Sequence, residues 1–363
     1  MRLDAVGDFI LTTPAIRVIR ENFPSSYITL VVRKQIHPLA ELCPYVNQVL
    51  AFDVNFYNGN FVFVDGILGL LNDLKEFSKR FLWQKNYQLA FSFTFASTPL
   101  NSLMLYISGA KERVAYTKDS FDNFLNTRRL LIPQKLPHEC LKNLYLLESV
   151  GLKLSRLDSE VWYSKTDLLT AKKFLERFDK KRIKIVTAIG ANHKERQYPV
   201  EKYLTAFKQI LSKGALLIIL GGSSEIEAAQ FLEDNLPSGS VANLVKVNTG
   251  WRVDAAVISL VDLYIGNMTG ACDVAAALKK PVITLSRVAK DFKNFYVNPT
   301  EAELFQPWKT HCIVLQPEHQ LAECTINPFY AACTAGKSHC IAQIEPSEIV
   351  AAYEKILRFV KQE

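Results

Sequence analysis

Apolar positions recur along this 363-residue chain in two rhythms. Short apolar runs rich in β-branched and aromatic residues occupy 27–32, 89–93, 183–188, 216–220, 263–265 and 282–285. Their length and near-continuous apolarity predict strands covered on both faces. Between them lie stretches whose apolar residues fall three and four apart. These predict helices at 14–21, about 67–83, 168–178, 200–211, 224–235, 253–260, 271–278 and 347–360. Pro14 suits the first turn of its helix, and Ser347 can cap the last one. Regular alternation of the two signals argues for α/β architecture, a parallel sheet with helices on its faces.

The rhythm breaks at 152–167, where polar and turn residues intervene, and we place a domain boundary there. A chain of this length exceeds one ordinary core. The reading is two doubly wound, Rossmann-like parallel-sheet domains facing across a cleft, at 1–160 and 161–345, with a terminal helix at 346–363. The connection 288–308, with Phe292, Phe295, Tyr296 and Phe305, is long and aromatic. It either packs over the core or forms the rim of a site.

Composition adds exclusions. A hydrophobic fraction of 49% and a charged fraction of 22% are those of a globular protein. No apolar run approaches the roughly 18 residues of a membrane span. Arg2, Asp4 and Asp8 rule out a secretory signal at the start, so the expected location is cytoplasmic. The net charge of +7 is mildly basic, read either as ordinary solubility or as attraction to an acidic partner such as a phosphorylated lipid or nucleic acid. Arg17, Arg20, Arg33 and Lys34 are candidates for contact with such a surface, or else a solvated face. No Lys/Arg block with stacking aromatics is present, so nucleic acid is not expected as a partner. Of the seven cysteines, Cys324, Cys333 and Cys340 with His339 are the zinc candidates. Their wide spacing lacks close Cys-x-x-Cys pairs, which favours packed, reduced thiols and no metal.

Two motifs carry chemistry. Residues 265–278, Ile-Gly-Asn-Met-Thr-Gly followed by an Ala-rich run, read as a strand end, a Thr-Gly turn and a helix start. Backbone N–H groups and the positive end of the helix dipole converge there, a place to hold phosphate. Gly270 lets an anion approach the backbone and Thr269 offers a hydroxyl. At the other end of the chain, Gly7-Asp8 enters the first helix at the carboxyl edge of its sheet, where open α/β sheets bind ligands. Asp8 is there as a helix cap or as a general base.

The order Arg2-Leu3-Asp4-Ala5-Val6-Gly7-Asp8, Thr12-Thr13-Pro14 and later Gly266-Asn267-Met268-Thr269-Gly270 resembles glycosyltransferase family 9, the lipopolysaccharide heptosyltransferases and their relatives. Phe23-Pro24, Ser108-Gly109-Ala110, Arg113 to Tyr116, residues 138–151, Gly190-Ala191-Asn192, Arg196 to Pro199, Leu220-Gly221-Gly222 and the Cys324/Cys333/Cys340 spacing are similar too, over almost the whole chain. The resemblance implies a GT-B fold and inverting, metal-independent sugar transfer without a cofactor. The donor would be a nucleotide-sugar, with ADP-heptose the first candidate. The acceptor would be a lipopolysaccharide core or related glycolipid, with peripheral association at the cytoplasmic face of the inner membrane. It implies Asp8 as base, with Gly7, Thr12 and Thr13 on the acceptor side. Asn192, Arg196, Thr269 and Gly270 would hold the donor diphosphate. Met268, Asp273, Gly250 and Trp251 would lie near the donor sugar and base. The final helix would cross back to the first domain.

Some positions depart from the family's pattern. Met268 stands where an Asp is usual, Asp273 where a His is usual, and Arg196 and Tyr198 replace Lys and Trp. Only Met1 precedes Arg2, where the family has a strand; we expect a shortened start or a fragment, with backbone groups of both neighbouring strands left unpaired. These departures motivate an alternative, a catalytically impaired nucleotide-binding paralogue. An oxidoreductase is set aside because no Gly-x-Gly-x-x-Gly follows a strand.

Overall fold

The computed structural model describes residues 1–52, 55–57, 60–62, 75, 77–79, 86–94, 99–117, 125–131, 138–178, 182–290, 301–321 and 336–360. Most of the helix expected at 67–83, and Phe292, Phe295, Tyr296, Cys324 and Cys333, lie outside them. The chain divides into two compact units, Met1–Leu157 and Asp158–Glu363. No helix among the described residues is long and apolar enough to cross a membrane.

The first unit begins with two short helices, α1 (Val6–Ile10) and α2 (Thr13–Asn22), the latter with Pro14 in its first turn. Strand β1 (Thr29–Arg33) pairs in parallel with β2 (Gln48–Phe52), and the short helix α3 (His37–Ala40) joins them. A small antiparallel hairpin follows, β3 (Asn55–Tyr57) with β4 (Asn60–Val62). A second parallel sheet comprises β5 (Leu89–Ser92), β6 (Glu112–Thr117) and β7 (Arg128–Leu131). Helix α4 (Pro99–Ile107) connects β5 to β6, and α5 (Glu139–Glu148) follows β7.

Met1 and Arg2 form the seam between these two sheets. Arg2 N–H donates to Val31 O at 2.9 Å, while on the other side Phe93 N–H donates to Met1 O at 2.9 Å. The Met1 amine donates to Phe91 O at 2.8 Å. At the place where the sequence leads us to expect unpaired neighbours, these bonds give the order β2-β1-(1–2)-β5-β6-β7. An apolar cavity of about 640 Å³ opens beside the seam, lined by Leu30 and Val31 on one side and Leu89 and Ala90 on the other. Burial, with Arg2 adjacent, pulls the Met1 amine down to about 5.

The second unit is more regular. Helix α6 (Lys165–Leu175) is capped by Ser164, whose hydroxyl accepts from Asp167 N–H while Asp167 reaches back to Ser164 N–H. Strands β8 (Lys184–Ala188), β9 (Leu216–Leu220) and β10 (Val241–Asn243) alternate with helices α7 (Val200–Leu211) and α8 (Ile226–Asn235). Then come α9 (Gly250–Ser259), β11 (Leu263–Asn267), α10 (Gly270–Ala277), β12 (Val282–Leu285), α11 (Glu301–Phe305), β13 (Cys312–Leu315) and α12 (Pro346–Val360). The six strands are parallel in the order β10-β9-β8-β11-β12-β13. That order reverses direction between β8 and β11, and such a switch point is where a doubly wound sheet opens a crevice at its carboxyl edge.

The last helix packs against α7, its Ile349, Tyr353 and Ile356 sharing one buried cluster with Tyr203 and Phe207. Tyr198 hydroxyl donates to Ile344 O at 2.8 Å just before that helix. The resemblance leads us to expect this helix crossing to the first domain; the packing described for it is within the second unit.

Gly266, inside β11, is fixed by close approach. A Cβ there would sit 2.8 Å from the Tyr264 hydroxyl and 3.0 Å from Ala188 O. That hydroxyl is itself held by donating to Asn267 O at 2.7 Å. Gly266→Ala is expected to destabilise the protein by about 1–3 kcal/mol, the usual range for overpacking. Urea unfolding at equilibrium would show it, and an unchanged midpoint would mean that the strands yield freely.

Candidate active site

In the first unit the site grows from the seam. Arg2 follows Met1 with its side chain fully buried, and its guanidinium meets three carboxylates. Nε lies 3.2 Å from Asp4, Nη2 3.0 Å from Asp8 and Nη1 2.9 Å from Glu139. Glu139, also fully buried at the start of α5, meets Lys142 Nζ at 3.3 Å. Burial opposes the charge on Arg2, but Asp4, Glu139 and Asp8 outweigh it and hold the guanidinium protonated. Burial lowers Lys142, partly offset by Glu139. Burial pushes Asp4 up to about 7, against the pull of Arg2.

Asp8 is the third residue of α1, and its Oδ2 accepts from Ala5 N–H at 3.0 Å, closing the helix start. Its side chain keeps 20% of its exposure, the most open carboxylate among the three around Arg2. So Asp8 is both a cap and an accessible carboxylate, held from one side by Arg2 and from another by the backbone. Gly7 is buried beside it.

Thr12 and Thr13, expected on the acceptor side, are fully buried. Thr12 Oγ1 donates to Asp8 O at 2.8 Å and accepts from Asn143 Nδ2 at 3.2 Å; Thr13 Oγ1 donates to Ile10 O at 2.7 Å. They brace the Asp8 loop from beneath and do not present hydroxyls to an acceptor. Two of the basic candidates for an acidic surface are also structural. Arg17 is buried and donates to Arg156 O, and Arg20 donates to the carbonyls of Tyr45, Pro24 and Ser26.

The Asp4 shift makes a pH prediction. Its folded pKa lies above its ordinary value, so between about pH 4 and 7 the folded state binds more protons than the unfolded one, and stability falls as pH rises. Met1 works oppositely between about pH 5 and 8, because its amine is lowered on folding. Asp4→Asn removes only the first effect. The variant is therefore expected to gain stability relative to the unaltered protein from pH 4.5 to 7.5, read from urea midpoints; a constant gap would exclude the shift.

In the second unit the site lies at the β8/β11 switch point. Asn267, the last residue of β11, is fully buried and organises it. Its amide donates to Ile189 O at 2.7 Å and Gly190 O at 3.3 Å, and accepts from Tyr198 N–H at 3.2 Å and the Tyr203 hydroxyl at 2.8 Å. With all four positions of the amide used, the loop after β8 is fastened to the end of β11. Asn192 projects exposed from that loop, and Arg196 follows in a single 3₁₀ turn, Lys194–Arg196.

After Asn267 the chain turns through Met268 and Thr269 into α10. Thr269 is extended and makes no side-chain cap bond. The N–H groups of Cys272 and Asp273 return to Thr269 O. Those of Gly270 and Ala271 belong to the helix's open first turn and have no partner within it. Met268, Thr269 and Gly270 are half-buried, with the Thr269 hydroxyl oxygen itself buried. Asp273 lies in the first turn, only 8% exposed, where the dipole favours a carboxylate. Arg196, Met268, Leu285, Ser286 and Arg287 line one small pocket at this edge.

Gly250 begins α9 with φ of +75°, and Trp251 beside it is half-buried. Thr249 hydroxyl donates to the Asp254 carboxylate, which burial nevertheless pushes up to about 6. Cys340 Sγ lies 3.6 Å from His339 Nδ1. Among the described residues no three His, Cys, Asp or Glu side chains gather as a metal site.

The model of glycosyltransferase family 9 (heptosyltransferase) matches residues 80–314, more than half of the chain. The chain belongs to glycosyltransferase family 9. It is a glycosyltransferase, with the α/β fold of the GT-B heptosyltransferases. Lipopolysaccharide heptosyltransferase 3 of Escherichia coli (strain K12) is 21% identical over 359 residues, spanning 97% of this chain and 95% of the relative. Among solved structures, the family 9 glycosyltransferase of Veillonella parvula DSM 2008 superposes with a TM-score of 0.76 at 18% identity, covering 98% of this chain and 96% of that one. The ADP-heptose lps heptosyltransferase II of E. coli gives 0.70 at 16% identity, covering 99% and 98%. E. coli heptosyltransferase WaaC, solved with ADP, gives 0.65 at 14% identity, covering 98% and 99%.

Two site features of this family 9 chain escaped sequence reasoning. Arg2 was visible only as part of a motif, because its partner Glu139 lies 137 positions away. Arg287 follows a strand with no motif around it.

Proposed function

We propose that this protein is an inverting transferase that moves heptose from ADP-heptose to a lipopolysaccharide core acceptor. The acceptor hydroxyl attacks the anomeric carbon. Asp8 takes the hydroxyl proton as the new glycosidic bond forms, and the bond to the nucleoside diphosphate breaks with its electron pair leaving on phosphate oxygen. Gly270 and Ala271 N–H groups, the Thr269 hydroxyl and Arg196 bind that developing charge. Asn192, at the rim, contacts the diphosphate, and Met268, Gly250, Trp251 and Asp273 surround the sugar and base.

The observation carrying this reading is the open first turn of α10, set at the switch point with Arg196 beside it. It is a site made for an anion leaving group. Family membership supports the reaction class, and WaaC, solved with ADP, supports the nucleotide. The exposed part of Asp8 supports it as the base.

A second reading, nucleotide binding without transfer, is favoured by one observation: both Asp8 oxygens are already engaged, by Arg2 and by Ala5 N–H. A panel of nucleotide-sugars with and without delipidated core acceptor separates the two. Acceptor-dependent release of ADP supports transfer; tight ADP binding with no release supports the second reading.

A further inference from the structure

We propose that Asp4 is a positioning residue for Asp8: it takes a share of the Arg2 guanidinium and so leaves Asp8 able to accept a proton; this rests on the transferase reading above. Both Asp8 oxygens are engaged, one by Arg2 Nη2 at 3.0 Å and the other by Ala5 N–H at 3.0 Å. Alone, those two contacts would favour the charged carboxylate over the protonated one. Arg2 is not left to Asp8 alone. Asp4 meets Nε at 3.2 Å, on the nitrogen at the other end of the same guanidinium edge, and Glu139 accepts from Nη1 at 2.9 Å. Nε and Nη2 meet their carboxylates as ion pairs without an aligned hydrogen bond. Asp4 and Asp8 therefore hold Arg2 by charge, and its charge is divided between them.

The balance of charge in this cluster favours proton uptake. Arg2 and Lys142 face three carboxylates, Asp4, Asp8 and Glu139. From α1 and α5, Asp8, Glu139 and Lys142 are the charged groups acting on Asp4, with Arg2 between them. With all five charged, the cluster carries one excess negative charge. Burial lowers Lys142, which deepens that excess. When Asp8 takes the proton of the acceptor hydroxyl, the excess disappears, and a buried site favours the balanced state. In Asp4→Asn the order reverses. The cluster is balanced before the proton arrives and positive afterwards, the direction that burial opposes.

This arrangement responds to pH. Burial pushes Asp4 up to about 7, against the pull of Arg2. Its negative charge is present above that pH and lost below it, so lowering the pH does to position 4 what Asp4→Asn does. The Met1 amine, lowered to about 5 by burial, is neutral across the same window.

The test is steady-state release of ADP from ADP-heptose by the full chain with delipidated core acceptor, at about pH 6 and 8, on either side of the Asp4 titration. At the higher pH, Asp4→Asn is expected to lower kcat by about three- to tenfold, well short of the loss of the base itself. KM for donor and acceptor should stay within about twofold, since no ground-state contact is removed. At the lower pH the gap should narrow, and Asp4→Glu, which restores the charge, should recover part of the rate. Equal losses at both pH values, in step with a lowered melting temperature, would make Asp4 merely structural and overturn the proposal. Unchanged kcat at both would overturn it too. Asp8→Asn is the control for the underlying reading: normal turnover in that variant, or no release by the unaltered protein, removes Asp8 as base and this role of Asp4 with it.

Discussion

Asp8→Asn is expected to lower transfer by about 10²–10⁴-fold, the range of a lost general base, while ADP binds as tightly as before. The substitution is chosen to separate base from cap. Asn retains an oxygen to accept from Ala5 N–H, so the start of α1 survives. Arg2 loses one ion partner but keeps Asp4 and Glu139. Melting should therefore move little, and a drop in turnover can be assigned to chemistry. Asp8→Ala removes the cap too and should cost about 1 kcal/mol more in stability. Turnover in Asp8→Asn within about threefold of normal would leave Asp8 only its capping role.

Arg2→Met has the largest expected effect on the fold. The side chain is fully buried, and removing it leaves Asp4, Asp8 and Glu139 around an apolar stem. Breaking a buried pair from one side typically costs about 3–5 kcal/mol, because the stranded charge keeps its desolvation penalty. Lys142 is the cation left nearby, and burial already weakens its own charge. Equilibrium urea unfolding is the measurement, and activity should fall with stability because Asp8 loses the group that aims it. Arg2→Lys should recover only part, since one ammonium cannot reach three carboxylates as a fork does. A loss below about 1 kcal/mol would show that the carboxylates find other partners or take up protons.

The second unit was largely legible in the sequence. Its strands are buried on both faces, so apolar runs at 183–188, 216–220 and 282–285 marked them directly. Helix α9 starts at Gly250, three residues before the periodicity suggested, because Gly and Trp mask the first turn. Strand β10 spans three residues and β13 follows an aromatic connection, so neither produced a run to recognise. In the first unit, β7 is Arg-Arg-Leu-Leu with mostly exposed side chains, polar enough to read as loop.

The site divides the same way. Thr269-Gly270 announced itself, since turn and helix start are local. Thr12 and Thr13 sit in an equally suggestive motif, but their hydroxyls are spent on backbone carbonyls, which no local sequence pattern reveals. Asn267 sits within the Gly-Asn-Met-Thr-Gly motif, yet its four hydrogen bonds reach Ile189, Gly190, Tyr198 and Tyr203, all more than 60 positions away. Hubs of this kind are set by long-range contact and leave no periodic signal.

The central claim is that an anion leaving group is held at the α10 turn and released by an acceptor. Acceptor-dependent ADP release from ADP-heptose tests it most directly, with delipidated lipopolysaccharide core supplied and withheld. We expect ADP to appear only when acceptor is present, in step with loss of the acceptor hydroxyl. ADP bound tightly, with no release under either condition, would contradict transfer and leave a nucleotide-binding protein.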